Sequence, residues 1–462
     1  MKREKLQQMA ARIGNVPAHY QMDAEDYDEE RALFWWSDKG DEDSSIMVEL
    51  DPDGKLKYLS RSALQTDQPP LPDREIEKRM LEFTETHYPG AAAEFEREEN
   101  SPACEDKVRY SYVQMADGLP LPLTGFYVHL SLTGEVTDFC YQGKADQLMR
   151  PGHIADKQEA LAHFVKDIDV ELLFTVLNHT VYEQGDDQPH LVYEPIIPLR
   201  PISAGLDEEK EECDEIEPET RPYVPLSRPE HVTENISVND MIGLHAGFYK
   251  DRETDLGDGR IGIAWRPDKT EAARDGKSLE SLFKHRTEHV LKTIYDKESG
   301  RLAGVMSFIR EEGEPVLSEA DCENAALRFL FAIFPEADQY FRIQYDEPDD
   351  EQEVAGFTFK AETDGVPLRF GESRICVSKK TGRIRCYMPP EIDPATLKHI
   401  DPVPSLTKEE AKAAILEAIR VELAWDRYDD GSGQNTYRLV YKPIYPRFIE
   451  AHTGRAIMSS IG

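Results

Sequence analysis

The chain has 462 residues, 39% hydrophobic and 31% charged, the composition of a globular protein long enough for more than one core. Its 54 basic residues against 90 acidic ones give a formal charge of -36, which repels phosphate backbones and anionic membranes, so neither nucleic acid nor membrane is an expected partner. The plain reading of that charge is a solvated acidic surface, with a basic protein or cations as what it would attract.

Residues 1–16 carry charges but no apolar signal-peptide region, and no run of about 18 apolar residues occurs, so the chain is expected in the cytoplasm. Six cysteines without Cys-x-x-Cys or zinc-ribbon spacing fit reduced thiols in that compartment.

In chain order, Ile13-Gly14, Ala18-His19-Tyr20 and an apolar strand over 32–36 are answered later by Ile242-Gly243, residues 246–249 and a strand over 261–265. Trp36 is matched by Trp265. Both are read as core residues, because large aromatics dominate cores and the strand around each is apolar; a pair of aromatic binding spots is the alternative. A hairpin follows, with strands over 46–50 and 55–60 about Asp51-Pro52-Asp53-Gly54, answered by 290–295 and 302–308 about Glu298-Ser299-Gly300. The Asp-x-Asp-Gly fragment lacks the later ligands and closing glutamate of a calcium loop and is read as a turn.

A helix over 73–87 places Ile76, Met80, Leu81 and Phe83 on an apolar stripe, and one over 318–334 does so with Ala325, Leu327, Phe329, Leu330 and Phe331. Pro89 and Pro335 stop them, since proline cannot continue the hydrogen-bond ladder.

The stretches 107–141 and 354–387 come next, and each copy is organised around its own. Val108, Tyr110 and Tyr112 alternate at period two, as a strand buried on one face requires. Asp117-Gly118-Leu119-Pro120 and Asp364-Gly365-Val366-Pro367 turn the chain, with Gly118 and Gly365 free to take positive φ. Leu132-Thr133-Gly134 and Lys380-Thr381-Gly382 fit three-residue hairpin loops that end on a left-handed glycine. Counting outward from the second loop places Cys376 opposite Cys386, near enough for a disulfide; two free, mostly buried thiols is the reading adopted.

Helices over 156–168 and 407–419 follow, KQEALAHFVKDIDVELLF against KEEAKAAILEAIRVELAW, and both copies close with Leu-Val-Tyr-x-Pro at 191–195 and 439–443. The second copy adds a strand over 448–451, a His452-Thr453-Gly454 turn and a last short strand. Residues 206–229, rich in acid with interspersed proline, read as an exposed linker. The expected fold is therefore α+β, with two tandem duplicated halves that each pack helices on an antiparallel β-sheet. Residues 1–205 form the first repeat half, 206–229 an acidic, proline-containing linker, and 230–462 the second repeat half.

The organising stretch also resembles a known module. Tyr110, Tyr112-Val113-Gln114, Asp117-Gly118-Leu119-Pro120-Leu121, Phe126-Tyr127-Val128-His129-Leu130 and Gly134-Glu135-Val136 look like the PepSY and related propeptide modules of thermolysin-type proteases. The duplicated layout resembles, over nearly all of the chain, the YcdB/YcdC-type repeat proteins of spore-forming bacteria. That resemblance implies a PepSY-like, cystatin-like α+β unit and a role in binding or restraining a protease or other protein.

No constellation dictates a reaction. The sharpest enzymatic motif is His285-Arg286-Thr287-Glu288-His289, the His-x-x-Glu-His order in which two imidazoles one helical turn apart hold zinc and the carboxylate acts as base. These residues straddle a helix end and the strand over 290–295, residues 43–45 of the first half show nothing similar, and no third ligand is identified, although Glu353 and Glu362 lie downstream. There is no Gly-x-Ser-x-Gly elbow and no phosphate-cradling glycine loop. His129, His163 and His179 lie in apolar segments and read as structural histidines, and the acidic run 346–353 as a solvated hairpin loop. The expectation is a non-catalytic protein-binding or protease-inhibitor-like module with no cofactor, no metal and one unidentified protein partner. A zinc metallohydrolase using His285, Glu288 and His289 is the first alternative, and a structural or assembly protein presenting sheet edges is the second.

Overall fold

The protein is described here as a computed structural model covering residues 2–62, 68–98, 107–166, 168–197, 202–206, 223–229, 236–267, 276–344, 352–429, 431 and 433–460. The first repeat opens with α1 (Arg3–Ile13) and the meander β1 (Gln21–Tyr27), β2 (Ala32–Asp38), β3 (Asp41–Leu50) and β4 (Leu56–Arg61). The Asp51 carboxylate accepts the backbone N–H groups of Asp53 and Lys55, so the Asp-Pro-Asp-Gly fragment is a self-bonded turn. Next come α2 (Asp73–His87), α3 (Ala91–Glu94), β5 (Glu96–Arg97), β6 (Lys107–Ala116), β7 (Leu119–Ser131) and β8 (Val136–Gly143). These strands form one eight-stranded sheet in the order β1-β2-β3-β4-β8-β7-β6-β5. The helices cover one face, where Leu6 of α1 and Ile76 and Met80 of α2 meet Phe34, Trp36, Val48, Phe126, Val128 and Phe139. The buried row of α2 is Ile76, Met80 and Thr84, each one turn apart, while Leu81 is 40% exposed and falls off the expected stripe.

A connecting region contributes β9 (Gln147–Met149), α4 (Lys157–Val165), β10 (Asp169–Val176), β11 (Pro189–Ile196), β12 (Ile202–Ser203) and β13 (Val224–Pro225). Of the segment read as a linker, residues 207–222 lie outside those described. Residues 223–229 differ from an exposed linker: Val224 and Pro225 pair with Ile343 and Arg342, Leu226 is buried, and Arg228 donates to the Pro335 carbonyl at 2.7 Å.

The second repeat runs α5 (Val238–Met241), β14 (Tyr249–Asp255), β15 (Arg260–Arg266), α6 (Leu279–Thr287), β16 (Leu291–Asp296), β17 (Leu302–Ser307) and α7 (Glu319–Ile333). It continues with α8 (Ala337–Tyr340), β18 (Phe341–Gln344), β19 (Val354–Thr363), β20 (Val366–Ser378) and β21 (Ile384–Met388). The order β14-β15-β16-β17-β21-β20-β19-β18 reproduces the first sheet, and Phe329, Leu330 and Ile333 of α7 cover its inner face. The chain ends with α9 (Lys408–Ala418), β22 (Arg420–Tyr428), β23 (Thr436–Ile444), β24 (Phe448–Glu450) and β25 (Ala456–Ile457).

Local chemistry explains the ends and corners. Asp156, Ser318 and Thr407 cap α4, α7 and α9, the last two through reciprocal capping boxes with Asp321 and Glu410. Both central residues of the two Asp-Gly turns have positive φ: Asp117 at 53° and Gly118 at 74°, Asp364 at 51° and Gly365 at 79°. That is the mirror-image turn whose twist matches a hairpin. The hairpin β7–β8 closes where the Ser131 N–H donates to the Glu135 carbonyl, around the expected three residues. The hairpin β20–β21 closes from Ser378 to Arg383, one residue more, and a register shift after Cys376 restores the pairing of Cys376 with Cys386.

The last hairpin of each repeat packs on the other repeat. β10 meets β20 where Phe174 pairs with Leu368, and β11 pairs with β24. Phe174, Leu191 and Tyr193 thereby enter the second core beside Ala411 and Ile415 of α9, and the Tyr193 hydroxyl donates to the Leu406 carbonyl at 2.8 Å. In return β23 pairs with β9 and β12, and Trp425, Tyr437 and Tyr441 bury against Leu121 of β7. The Trp425 indole N–H donates to the Ala116 carbonyl at 3.0 Å, Tyr437 to Pro122 at 2.8 Å and Tyr441 to Ala155 at 2.8 Å. Leu121 and Leu368 occupy the same place, two residues into β7 and β20, so the exchange is reciprocal.

Candidate functional site

The outer faces of the two sheets have diverged. Across β14, β15, β16, β17, β21, β20 and β19, one row of paired residues reads Arg252, Ala264, Lys292, Met306, Cys386, Cys376 and Gly356. The matching row of the first sheet reads Ala24, Trp35, Met47, Ser60, Asp138, His129 and Arg109. In the adjoining row, Gly262 and Gly304 stand where the first sheet has Leu33 and Tyr58. Three large side chains, Leu33, Trp35 and Tyr58, are thus replaced by Gly262, Ala264 and Gly304.

Their absence leaves a hollow of about 590 Å³ on the second sheet, walled by Leu256, Ile294, Met306 and Met388 and rimmed by Arg252, Arg260 and Lys292. A second hollow of about 870 Å³, around Lys360, Arg369, Phe370 and Arg374, shares Arg260, Met388 and Pro389 with it, so the two make one groove. Backbone conformation does not demand these glycines, because neither Gly262 nor Gly304 is left-handed. A Cβ on Gly262 would meet Leu256 at an ordinary 3.6 Å, and one on Gly304 would meet the tip of Ile294 at 3.3 Å. What the glycines do is keep volume open.

The groove is apolar at its floor and cationic at its rim. Met306, Met388 and Phe370 are 46%, 47% and 65% exposed, which is unusual for large apolar side chains gathered on one face. Six basic side chains line the groove against three acidic ones, Glu171, Glu372 and Glu391, in a chain whose formal charge is -36. Some of the cations are held in place: Arg369 lies 3.0 Å from Glu194 and donates to the Tyr182 hydroxyl at 2.9 Å, and Lys292 sits over the Phe308 ring at 5.5 Å.

The residues singled out from sequence lie elsewhere or do other things. α6 ends at Thr287, Glu288 is extended, and His289 is left-handed at φ 57°, so the two histidines are not one turn apart on a continuous helix. Glu288 pairs with Arg310, whose backbone N–H donates to His289 Nδ1 at 3.3 Å; the side chain of His285 lies outside those described. Glu362, one of the two downstream carboxylates, pairs with Arg342 at 2.7 Å, and Glu353 pairs with Lys380 at 2.6 Å. Among the described residues, no group of three or more histidine, cysteine, aspartate or glutamate side chains could hold a metal ion. Trp36 is buried in the first core, and Trp265 packs on the second while its indole donates to Thr293 at 2.8 Å. Most of the acidic run, residues 346–351, lies outside the described residues.

His129 lies 3.4 Å from Asp138, which also accepts from Ser60 at 2.9 Å and Lys107 at 3.3 Å. Burial pushes His129 below the usual histidine range, against the pull of Asp138. Asp138 stands between the hydroxyl and the imidazole, so His129 does not activate Ser60. His179 is exposed and paired with Asp187 at 2.7 Å, and His163 is exposed on α4 rather than buried. The thiols of Cys376 and Cys386 are free and half-buried. Sequence reasoning missed the groove, although a position-by-position comparison of the copies sets Gly262 and Gly304 against Leu33 and Tyr58.

The fold and this face define an α+β protein of two internal repeats, each a helix-backed antiparallel sheet. The YcdB, YcdC repeated domain matches residues 3–143 and 233–391, one match per repeat. The uncharacterized protein YcdB of Bacillus subtilis (strain 168) is 50% identical over 464 residues, covering 99% of this chain and 98% of that protein. YcdC of the same organism is 33% identical over 98% of both. The chain belongs to the YcdB/YcdC repeated-domain family. Among solved structures, the Bacillus megaterium YpeB C-terminal domain aligns with 43% of this chain and 88% of its own length, at 12% identity and a TM-score of 0.27. Among the described residues, no helix is long and apolar enough to cross a membrane.

Proposed function

We propose that the protein is a non-catalytic protein-binding module of the cytoplasm, and that the groove of the second sheet receives an extended acidic segment of a partner protein. The groove itself carries this reading: an apolar floor opened by Gly262 and Gly304, and a cationic rim on an otherwise acidic molecule. Apolar side chains of the partner would fill the space that Leu33 and Tyr58 fill in the first repeat, and its carboxylates would meet Arg252, Lys292 and Arg374. Like-charge repulsion from the acidic remainder of the chain favours the groove as the place where an acidic segment is attracted.

Fluorescence anisotropy with a labelled peptide of alternating glutamate and leucine tests this, with alternating lysine and leucine as control. The acidic peptide is expected to bind, and Gly304→Tyr, which installs the residue of the first repeat, to weaken it at least about 10-fold, as does Lys292→Glu. Binding of the lysine peptide alone, or an affinity indifferent to both substitutions, overturns the reading.

A further inference from the structure

The outer face also carries a pair of thiols whose placement stands apart from the groove's ligand. Cys376 of β20 and Cys386 of β21 are directly opposed partners. Such pairs hold their Cβ atoms about 4.5–5.5 Å apart, close to the separation a disulfide spans. Both thiols are half-buried and unbridged. On the far side of Cys376 the directly opposed residue of β19 is Gly356, which has no side chain to set against that sulfur; a Cβ there would meet only the Arg374 guanidinium, at 3.6 Å. On the far side of Cys386 is Met306, itself 46% exposed.

The same rung of the first hairpin holds His129 and Asp138, flanked by Arg109 and Ser60. One repeat therefore carries a histidine–carboxylate pair where the other carries a dithiol. The two thiols are also unequal. The hydrogen bond from Cys386 and the neighbouring Arg374 hold the Cys376 thiol well below the usual range despite its burial, while the hydrogen bond to Cys376 and burial push Cys386 up. Burial raises Cys140 and Cys322 as well.

We propose that Cys376 and Cys386 form a thiol–disulfide site, with Cys376 attacking and Cys386 resolving, oxidised by a small-molecule disulfide. The Cys376 thiolate attacks one sulfur of the reagent, forming a mixed disulfide and expelling a thiolate. Cys386 then attacks the Cys376 sulfur, a Cys376–Cys386 bond forms, and the second reagent thiolate leaves. The proton that Cys376 sheds to water on ionising and the proton of Cys386 end on the two leaving thiolates, so two protein thiols are oxidised and one reagent disulfide yields two thiols. The product staples β20 to β21 at the edge of the groove.

Oxidised glutathione is the probe, applied to the full-length reduced protein, with free thiols then blocked and the chain digested with trypsin. Cleavage after Arg374, Lys379 and Arg385 separates the two cysteines, so the bridge appears as a peptide of residues 375–379 linked to one of residues 386–398. Cys386→Ser is expected to stop at a glutathione adduct on Cys376, and Cys376 in the wild type to alkylate with iodoacetamide at pH 7 about 10-fold or more faster than Cys322. Failure of the linked peptides to form in the wild type, or an adduct spread evenly over the other cysteines in Cys386→Ser, overturns the proposal.

Discussion

The reciprocal packing of the hairpins predicts that the two repeats hold together without their peptide connection. A specific protease site placed among residues 207–222 cuts the chain once, leaving β10–β11 in the second sheet and β22–β23 on the first. The cut protein is expected to migrate as an intact one-to-one complex in size-exclusion chromatography with light scattering. Trp425→Ala then sets the magnitude. Trp425 is 1% exposed and donates to Ala116 across the repeats, so its removal costs about 3–5 kcal/mol for the lost burial and cavity. Losing the indole N–H adds about 1 kcal/mol or more, because the Ala116 carbonyl is left without that donor. In the cut protein these losses weaken association of the halves by on the order of 10³–10⁴-fold. Tyr437→Phe, which removes only a hydroxyl bond to Pro122, is expected to weaken it by about 10-fold at most. The reasoning is refuted if the cut wild-type protein separates into halves under native conditions, or if Trp425→Ala and Tyr437→Phe weaken it equally.

Two further substitutions follow from local geometry. Gly125 has φ 76° and a Cβ there would lie 2.0 Å from the Tyr112 carbonyl oxygen, so Gly125→Ala should destabilise by about 1–3 kcal/mol through crowding and about 1–2 more through the left-handed backbone, read as a drop in the urea midpoint. His87 packs on Phe83 at 4.6 Å, and burial, with the nearby Arg12, lowers its pKa from 6.5. A lowered histidine stabilises the fold above its ordinary pKa and loses that contribution as pH falls through the folded value, so wild-type Tm should fall relative to that of His87→Phe below about pH 6.5. A gap between the two that stays constant from pH 8 to pH 5 would contradict the assignment.

Much of the fold was legible because it is written locally. The Asp-Gly turns and the prolines after α2 and α7 act within a few residues of themselves, and the repetition of their order revealed the duplication. The hairpin exchange was not legible. β10–β11 and β22–β23 carry near-identical apolar patterns, and nothing in Leu-Val-Tyr-x-Pro says which sheet it will meet; that choice rests on side chains such as Trp425 and Leu121, about 300 residues apart in sequence. The pairing at residues 224–225 escaped for a similar reason, since a two-residue strand leaves no periodicity. The groove was hidden because it consists of missing side chains, and glycine in a strand reads as a weakness until its counterpart is known to be a leucine or a tyrosine. The zinc motif and its flaw were both legible: the order of residues is right, but the strand pattern over 290–295 already called for a helix end between its histidines, and α6 ends there.

The exchange also imposes a timetable on synthesis. Trp425 is made 309 residues after Ala116, the carbonyl that receives its indole N–H. At a ribosomal rate of 5–20 residues per second, the site on the first repeat waits roughly 15–60 s for the hairpin that fills it. Through that interval Leu121 lacks its cover, and the nascent chain holds a finished sheet with an unoccupied apolar seat. A premature stop anywhere before β22 therefore unseals the half of the molecule that was made first.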